Sequence, residues 1–288
     1  MYRYGFFMLA FALTLASCAK KEDVGTLSDP YQYLKATVDP GAVPAPDQRS
    51  SGGSNPYDRY GKLHNQGFRD MVLNTNTRGT YKQWILSMGE YTGYPAMESF
   101  REFTRLSGLP IDQQLDSAEA AGAGELARDT WQFLAEEIQA METPDFAAAT
   151  VLFNATDAAL MDYDPDDRST DTEHALGVSS IFRYSFALHT GATLDGVDYS
   201  NQPWNPTPNL PPHPETDVFI DWEQLIMADA MGFLVNFDWK KALATSLSDL
   251  IDQLLGGTWT LADVFHPEVG STEPYSPTAA GGGVMPDR

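Results

Sequence analysis

Apolar side chains along this chain recur at steps of three and four, the spacing that lines up one face of an α-helix. Across Gly124–Met141 the stripe is Ala127, Trp131, Leu134, Ile138 and Met141. Across Thr216–Phe237 it is Phe219, Trp222, Ile226, Ala230, Phe233 and Phe237, a pattern that faces a core. Asn55-Pro56-Tyr57-Asp58 is a strong helix start, with Asn as cap, Pro at the first helical position and a carboxylate toward the positive end of the dipole. Tyr57, Tyr60, Gly61, His64, Phe68 and Met71 then share one face. Further helices are predicted over Pro95–Leu106, Asp145–Met161, Thr170–His189 and Trp239–Leu255, while Tyr81–Met88 reads as an aromatic-rich turn of uncertain type. Period-two alternation of any length is absent. The expected fold is all-α: an irregular multi-helix bundle with a long N-terminal tether and Pro/Gly-rich loops.

Gly5–Leu15 breaks the periodic pattern with an almost continuous apolar run behind Arg3. That run suits a secretory signal and is too short for a bilayer-spanning helix. It ends in Leu15-Ala16-Ser17-Cys18, which matches the lipobox of bacterial lipoproteins. Residues 1–17 are therefore expected to be a lipoprotein signal peptide, and Cys18 the acylated anchor. Two or more acyl chains would hold the protein stably on a membrane. Ala19-Lys20-Lys21-Glu22-Asp23 resembles a short Lys-then-acidic signal for the outer face of the outer membrane. Residues 18–54, rich in Pro, Gly, Ser and Asp, are read as a lipid-anchored flexible tether. The helical domain is placed at 55–265, and 266–288 is expected to be a disordered tail. Asn201–Pro214, with six prolines and Trp204, reads as a loop laid over the surface.

Charge narrows the partners. The chain holds 40 acidic and 18 basic side chains, a formal net charge of −22. Such a surface excludes nucleic acid, whose phosphates require Lys/Arg clusters, and disfavours anionic headgroups. Cys18 is the single cysteine, so its acylation would leave no thiol for a disulfide, a zinc site or catalysis.

Candidate chemistry is sparse. Asp162, Asp164, Asp166 and Glu173 occupy positions 1, 3, 5 and 12 of a calcium-loop spacing. Asp167 stands where that loop needs Gly, and Pro165 stiffens position 4. The competing reading is a capping box, Thr170-Asp171-Thr172-Glu173, ahead of a helix. The histidines are His64, His174, His189, His213 and His266, and none has metal-ligand spacing. His64-Asn65 reads either as a core histidine with a satisfied hydrogen bond or as an oriented general base. Gly122-Ala123-Gly124 precedes a helix without following a strand, so it does not indicate a nucleotide site. Arg183 and Asp229 lie alone in two of the most apolar helices and are expected to pair across them, because an unpaired buried charge is costly. Tyr199 and Trp204 are candidates for stacking on sugars, against the alternative that they fill a core or pin a loop.

Three segments resemble an uncharacterised family of lipoproteins common in Bacteroidota: Asn55-Pro56-Tyr57-Asp58-Arg59-Tyr60-Gly61-Lys62-Leu63-His64-Asn65, Ser179–Ser185, and Met227–Gly232. The first is similar to an NPYDxxGxxHN opening. The last departs from the family pattern by running into Phe233-Leu234-Val235, which puts close helix packing there in question. The resemblance implies the compartment and a helical fold, and it implies no reaction. The expected protein is an outer-membrane or surface lipoprotein that binds a protein or glycan, without catalytic residues, metal or cofactor. The alternative is an extracytoplasmic hydrolase or metal-dependent enzyme using His64 and nearby carboxylates.

Overall fold

The computed structural model describes residues 29–39, 55–74, 81–94, 109–141, 143–163, 169–200 and 221–254. The signal peptide, Cys18, the sorting signal, Pro95–Leu106, residues 164–168, the Asn201–Pro214 loop and the tail 266–288 lie outside them. The described chain is all-α. Its helices are α1 (Pro30–Thr37), α2 (Arg59–Asn74), α3 (Tyr81–Thr92), α4 (Ile111–Ala120), α5 (Glu125–Gln139), α6 (Phe146–Tyr163), α7 (Thr170–Thr190), α8 (Trp222–Asn236) and α9 (Trp239–Leu254). A two-residue hairpin, β1 (Thr193–Leu194) with β2 (Val197–Asp198), follows α7. No helix among the described residues is long and apolar enough to cross a membrane.

Helix α7 is the axis of the bundle. Every residue from Ala175 to His189 is buried, as expected of a helix covered on all sides. Helices α2, α5, α6 and α8 pack around it, and α9 lies against α8 and α2. The stripe read from α5 is the face it buries: Ala127, Trp131, Leu134 and Ile138 have no exposed surface. Trp222, Ile226, Ala230 and Phe233 of α8 are buried in the same cluster.

Glycines mark several close approaches in the bundle, Gly61 and Gly232 among them. A Cβ on Gly61 of α2 would lie 2.4 Å from the Tyr184 ring and 2.6 Å from the Ser180 carbonyl oxygen. One on Gly232 of α8 would lie 2.2 Å from Thr245 Oγ1 of α9. The packing that Phe233-Leu234-Val235 had put in question is therefore close at Gly232.

The tether needs correction. Within 18–54, Pro30–Thr37 forms α1 and packs on α5 and α6. Asp29 caps it by accepting from the Gln32 N–H, and Pro30 opens the first turn. Leu34 is fully buried and Tyr33 nearly so. Tyr31 ties α1 to α5 twice: its N–H donates to Asp129 at 3.0 Å and its hydroxyl to Glu136 at 2.5 Å. Lys35 adds ion pairs to Glu137 at 2.8 Å and Glu136 at 3.3 Å. Replacing Asp29 by alanine should cost about 1 kcal/mol through loss of the cap. Faster amide exchange confined to α1 would report it.

Tyr81–Met88, read as a turn, lies within helix α3. The hairpin at Thr193–Asp198 and helix α4 were not anticipated.

A buried polar core as the candidate functional site

A helix buried on every side must find partners for each polar side chain it carries. Helix α7 carries Ser180, Arg183, Ser185 and His189, all without exposed surface. Their partners come from the turn before α2 and from α2, α6 and α8, and fall into two groups.

The first surrounds Arg183. Its Nη1 donates to both carboxylate oxygens of Asp58, at 3.0 and 3.3 Å, and its Nη2 donates to Asp157 of α6. Asn55 completes the group. Its amide donates to Asp157 Oδ1 at 3.0 Å and to the Leu176 carbonyl at 2.9 Å, while its own oxygen accepts from the Tyr57 N–H. The segment read as a helix start is a turn ahead of α2, which opens at Arg59, and Asn55, read as its cap, binds α6 and α7 instead. Burial pushes the Asp58 carboxyl up to about 6 against the pull of Arg183, with Asp157 adding to the rise. Burial likewise raises Asp157 in spite of Arg183.

The second group converges on one oxygen. Asp229 Oδ2 accepts from Ser185 Oγ at 2.5 Å and faces His189 Nε2 at 3.3 Å and His64 Nε2 at 3.5 Å. His64 also meets Asn65 Oδ1 through Nδ1 at 3.0 Å, and the Asn65 amide donates to the Tyr184 carbonyl at 2.7 Å. Burial opposes charge on both partners. Even so, Asp229 raises the His64 proton affinity above its ordinary value, and His64 and His189 hold Asp229 below the usual carboxylate range.

The expected Arg183–Asp229 bridge is therefore wrong in its pairing. Arg183 binds Asp58 and Asp157, while Asp229 binds Ser185 and two histidines. Both charges are buried and partnered, as the cost of an isolated ion requires, but each finds its partner on a different helix.

These shifts fix the sign of the pH dependence. A carboxyl raised on folding, such as Asp58 or Asp157, stabilises the fold as pH falls through its folded value toward 3.8. The raised His64 contributes in full below 6.5 and is lost as pH rises through its folded value. Asp229, lowered, contributes above 3.8 and is lost at more acid pH. The melting temperature should accordingly be higher near pH 5 than near pH 8. A melting temperature that rises steadily across that interval would contradict the arrangement.

The remaining candidates fall elsewhere. Asp171 leaves the acidic segment to cap another helix, accepting from the Leu126 N–H at 3.0 Å and the Ala127 N–H at 3.2 Å at the start of α5. Gly124 makes room for it, since a Cβ there would lie 2.1 Å from its carboxylate. Ser169 caps α7, one residue earlier than the predicted box. Glu173 accepts from the Tyr60 hydroxyl at 2.8 Å. No group of three or more His, Cys, Asp or Glu among the described residues is arranged to hold a metal ion. His174 stacks on Phe237 at 3.2 Å, and His213 and His266 lie outside the described residues. Tyr199 is buried at 3 % exposure, beneath Arg69, and presents no stacking face.

Asn55, Asp58 and Asp157 are the members of this core that sequence reasoning missed. Asp157 carries a legible signal, being an acid inside an alanine-rich apolar run. No family model, curated protein or solved structure matches this chain.

Proposed function

We propose that the chain is a lipid-anchored outer-membrane lipoprotein that acts by binding a protein or glycan at the cell surface, and that it is not a hydrolase. One observation carries the second half of this reading: the groups from which catalysis would be built have no exposed surface. His64, Ser185, His189, Arg183 and Asp229 are all fully buried. A general base must come within hydrogen-bond reach of a substrate proton. A nucleophilic serine needs a base to accept its proton, whereas Ser185 donates to a carboxylate that its neighbours keep ionised. The same residues serve well as a polar core that fixes how four helices register.

The lipobox ending at Cys18 supports the anchor, and the Lys-acidic run after it supports outward display. Two experiments test the proposal. Cys18→Ala should move the protein from the membrane fraction to the soluble fraction, and unchanged fractionation would refute the anchor. In the folded protein, His64 and His189 should resist acylation by diethylpyrocarbonate, and both should react once the protein is unfolded. Modification of both at the rate of an unstructured peptide would restore the enzyme alternative.

A further inference from the structure

We propose that His64 is held as a buried imidazolium whose second ring proton points at Asp229, and that this proton is a pH-sensitive latch between α2 and α8. The assignment follows from hydrogen-bond chemistry on both sides of the ring. The Asn65 amide nitrogen lies 2.7 Å from the Tyr184 carbonyl oxygen. Turning the amide over would set two oxygens against each other at that distance, so its orientation is fixed. Its oxygen therefore faces His64 Nδ1 at 3.0 Å. An amide oxygen cannot donate, so Nδ1 carries a proton.

On the opposite side, His64 Nε2 faces Asp229 Oδ2 at 3.5 Å. A singly protonated ring, its proton already on Nδ1, would aim a bare lone pair at this carboxylate. Both groups are fully buried, so solvent cannot relieve the repulsion. A second proton on Nε2 turns it into attraction. Ser185 Oγ donates to the same carboxylate oxygen at 2.5 Å and His189 Nε2 approaches it at 3.3 Å. Those contacts stabilise negative charge on Asp229 and leave the shared proton on the ring.

Among the described residues, no other counter-charge faces His64. From α7 come His189 and Arg183, the latter engaged with Asp58 and Asp157. On α2 itself, Lys62 pairs with Asp195 of the hairpin at 2.8 Å, which also accepts from the Tyr184 hydroxyl. Helices α9 and α3 approach α2 around Gly67 through Trp239, Leu243 and Tyr91. Loss of the His64 proton would leave Asp229 facing a lone pair, and the contact between α2 and α8 would loosen.

The test uses the full mature chain labelled with 15N-histidine and a two-bond proton–nitrogen correlation spectrum. One histidine should show both ring nitrogens protonated above pH 7, where an ordinary histidine is neutral. That signal should vanish in His64→Gln. Its loss on raising the pH should coincide with faster amide exchange in α2 and α8. Should His64→Gln not fold, single His174→Gln, His189→Gln, His213→Gln and His266→Gln variants assign the remaining signal to His64 by subtraction. A His64 signal that is neutral above pH 7 would overturn the proposal. So would stoichiometric metal in the purified chain, because the cation between Nε2 and Oδ2 would then not be a proton.

Discussion

Arg183→Met is expected to remove about 3–5 kcal/mol of folding stability, the cost of breaking a buried ion pair by deleting one partner. Domains of this kind are stable by only about 5–15 kcal/mol in total, so the variant should sit near the edge of folding. The loss arises less from the missing attraction than from what stays behind. Asp58 and Asp157 would face each other, buried, without the guanidinium that both now bind. Protonating them relieves part of the penalty, so the variant should recover at acid pH more than the parent does. Urea denaturation at two pH values measures both effects. A loss below about 1 kcal/mol would mean the pair behaves like a surface salt bridge. Replacing Asp58 and Asp157 with Asn in the Arg183→Met background should restore stability, since no charge would then be left unpaired.

Gly61→Val should be the next most damaging change, at about 3 kcal/mol. The added Cβ would meet a backbone oxygen of α7 at 2.6 Å as well as the Tyr184 ring. A ring can turn, but the carbonyl of a fully buried helix moves only with the helix. The shift would also pull the Gly61 N–H from Ser180 Oγ, now 3.0 Å away. Leu63→Ala, two residues along and 39 % exposed, is the matched control and should change stability by less than about 0.5 kcal/mol. Thermal unfolding of the two variants side by side decides it. Equal melting temperatures would contradict the close approach of α2 to α7.

The helices were legible where periodicity and side-chain size agree, as along α5 with Trp131 and Ile138. Helix α1 was missed although Asp29-Pro30-Tyr31 repeats the logic of Asn55-Pro56-Tyr57, an acceptor cap followed by Pro. The surrounding Pro and Gly content outweighed eight residues that bury little besides Tyr33 and Leu34. The hairpin also carried its signal. Asp195-Gly196, both with positive φ, is a favoured two-residue turn, but strands of two residues leave no alternation to detect.

The candidate site was half legible. Arg183, Asp229 and His64 stood out because charged and polar groups inside apolar stripes must be paired. Their partners did not, because pairing depends on how helices rotate and approach, and no one-dimensional pattern encodes that. Asp58 shows the difficulty. By position it suits a helix dipole, and the close approach of α2 to α7 also brings it to Arg183.

Docking of α1 changes how far the protein could search for a partner. With Cys18 as the lipid attachment, the chain between anchor and body would end at Asp29, and those eleven or so residues reach at most about 40 Å. A tether running to Ser54 would reach about 130 Å on the same count. The volume swept above the membrane scales as the cube of that radius, so it shrinks about thirtyfold. With that attachment, the local concentration of the body at the bilayer would rise by the same factor, which would favour partners seated in or on the same membrane over those arriving from a distance.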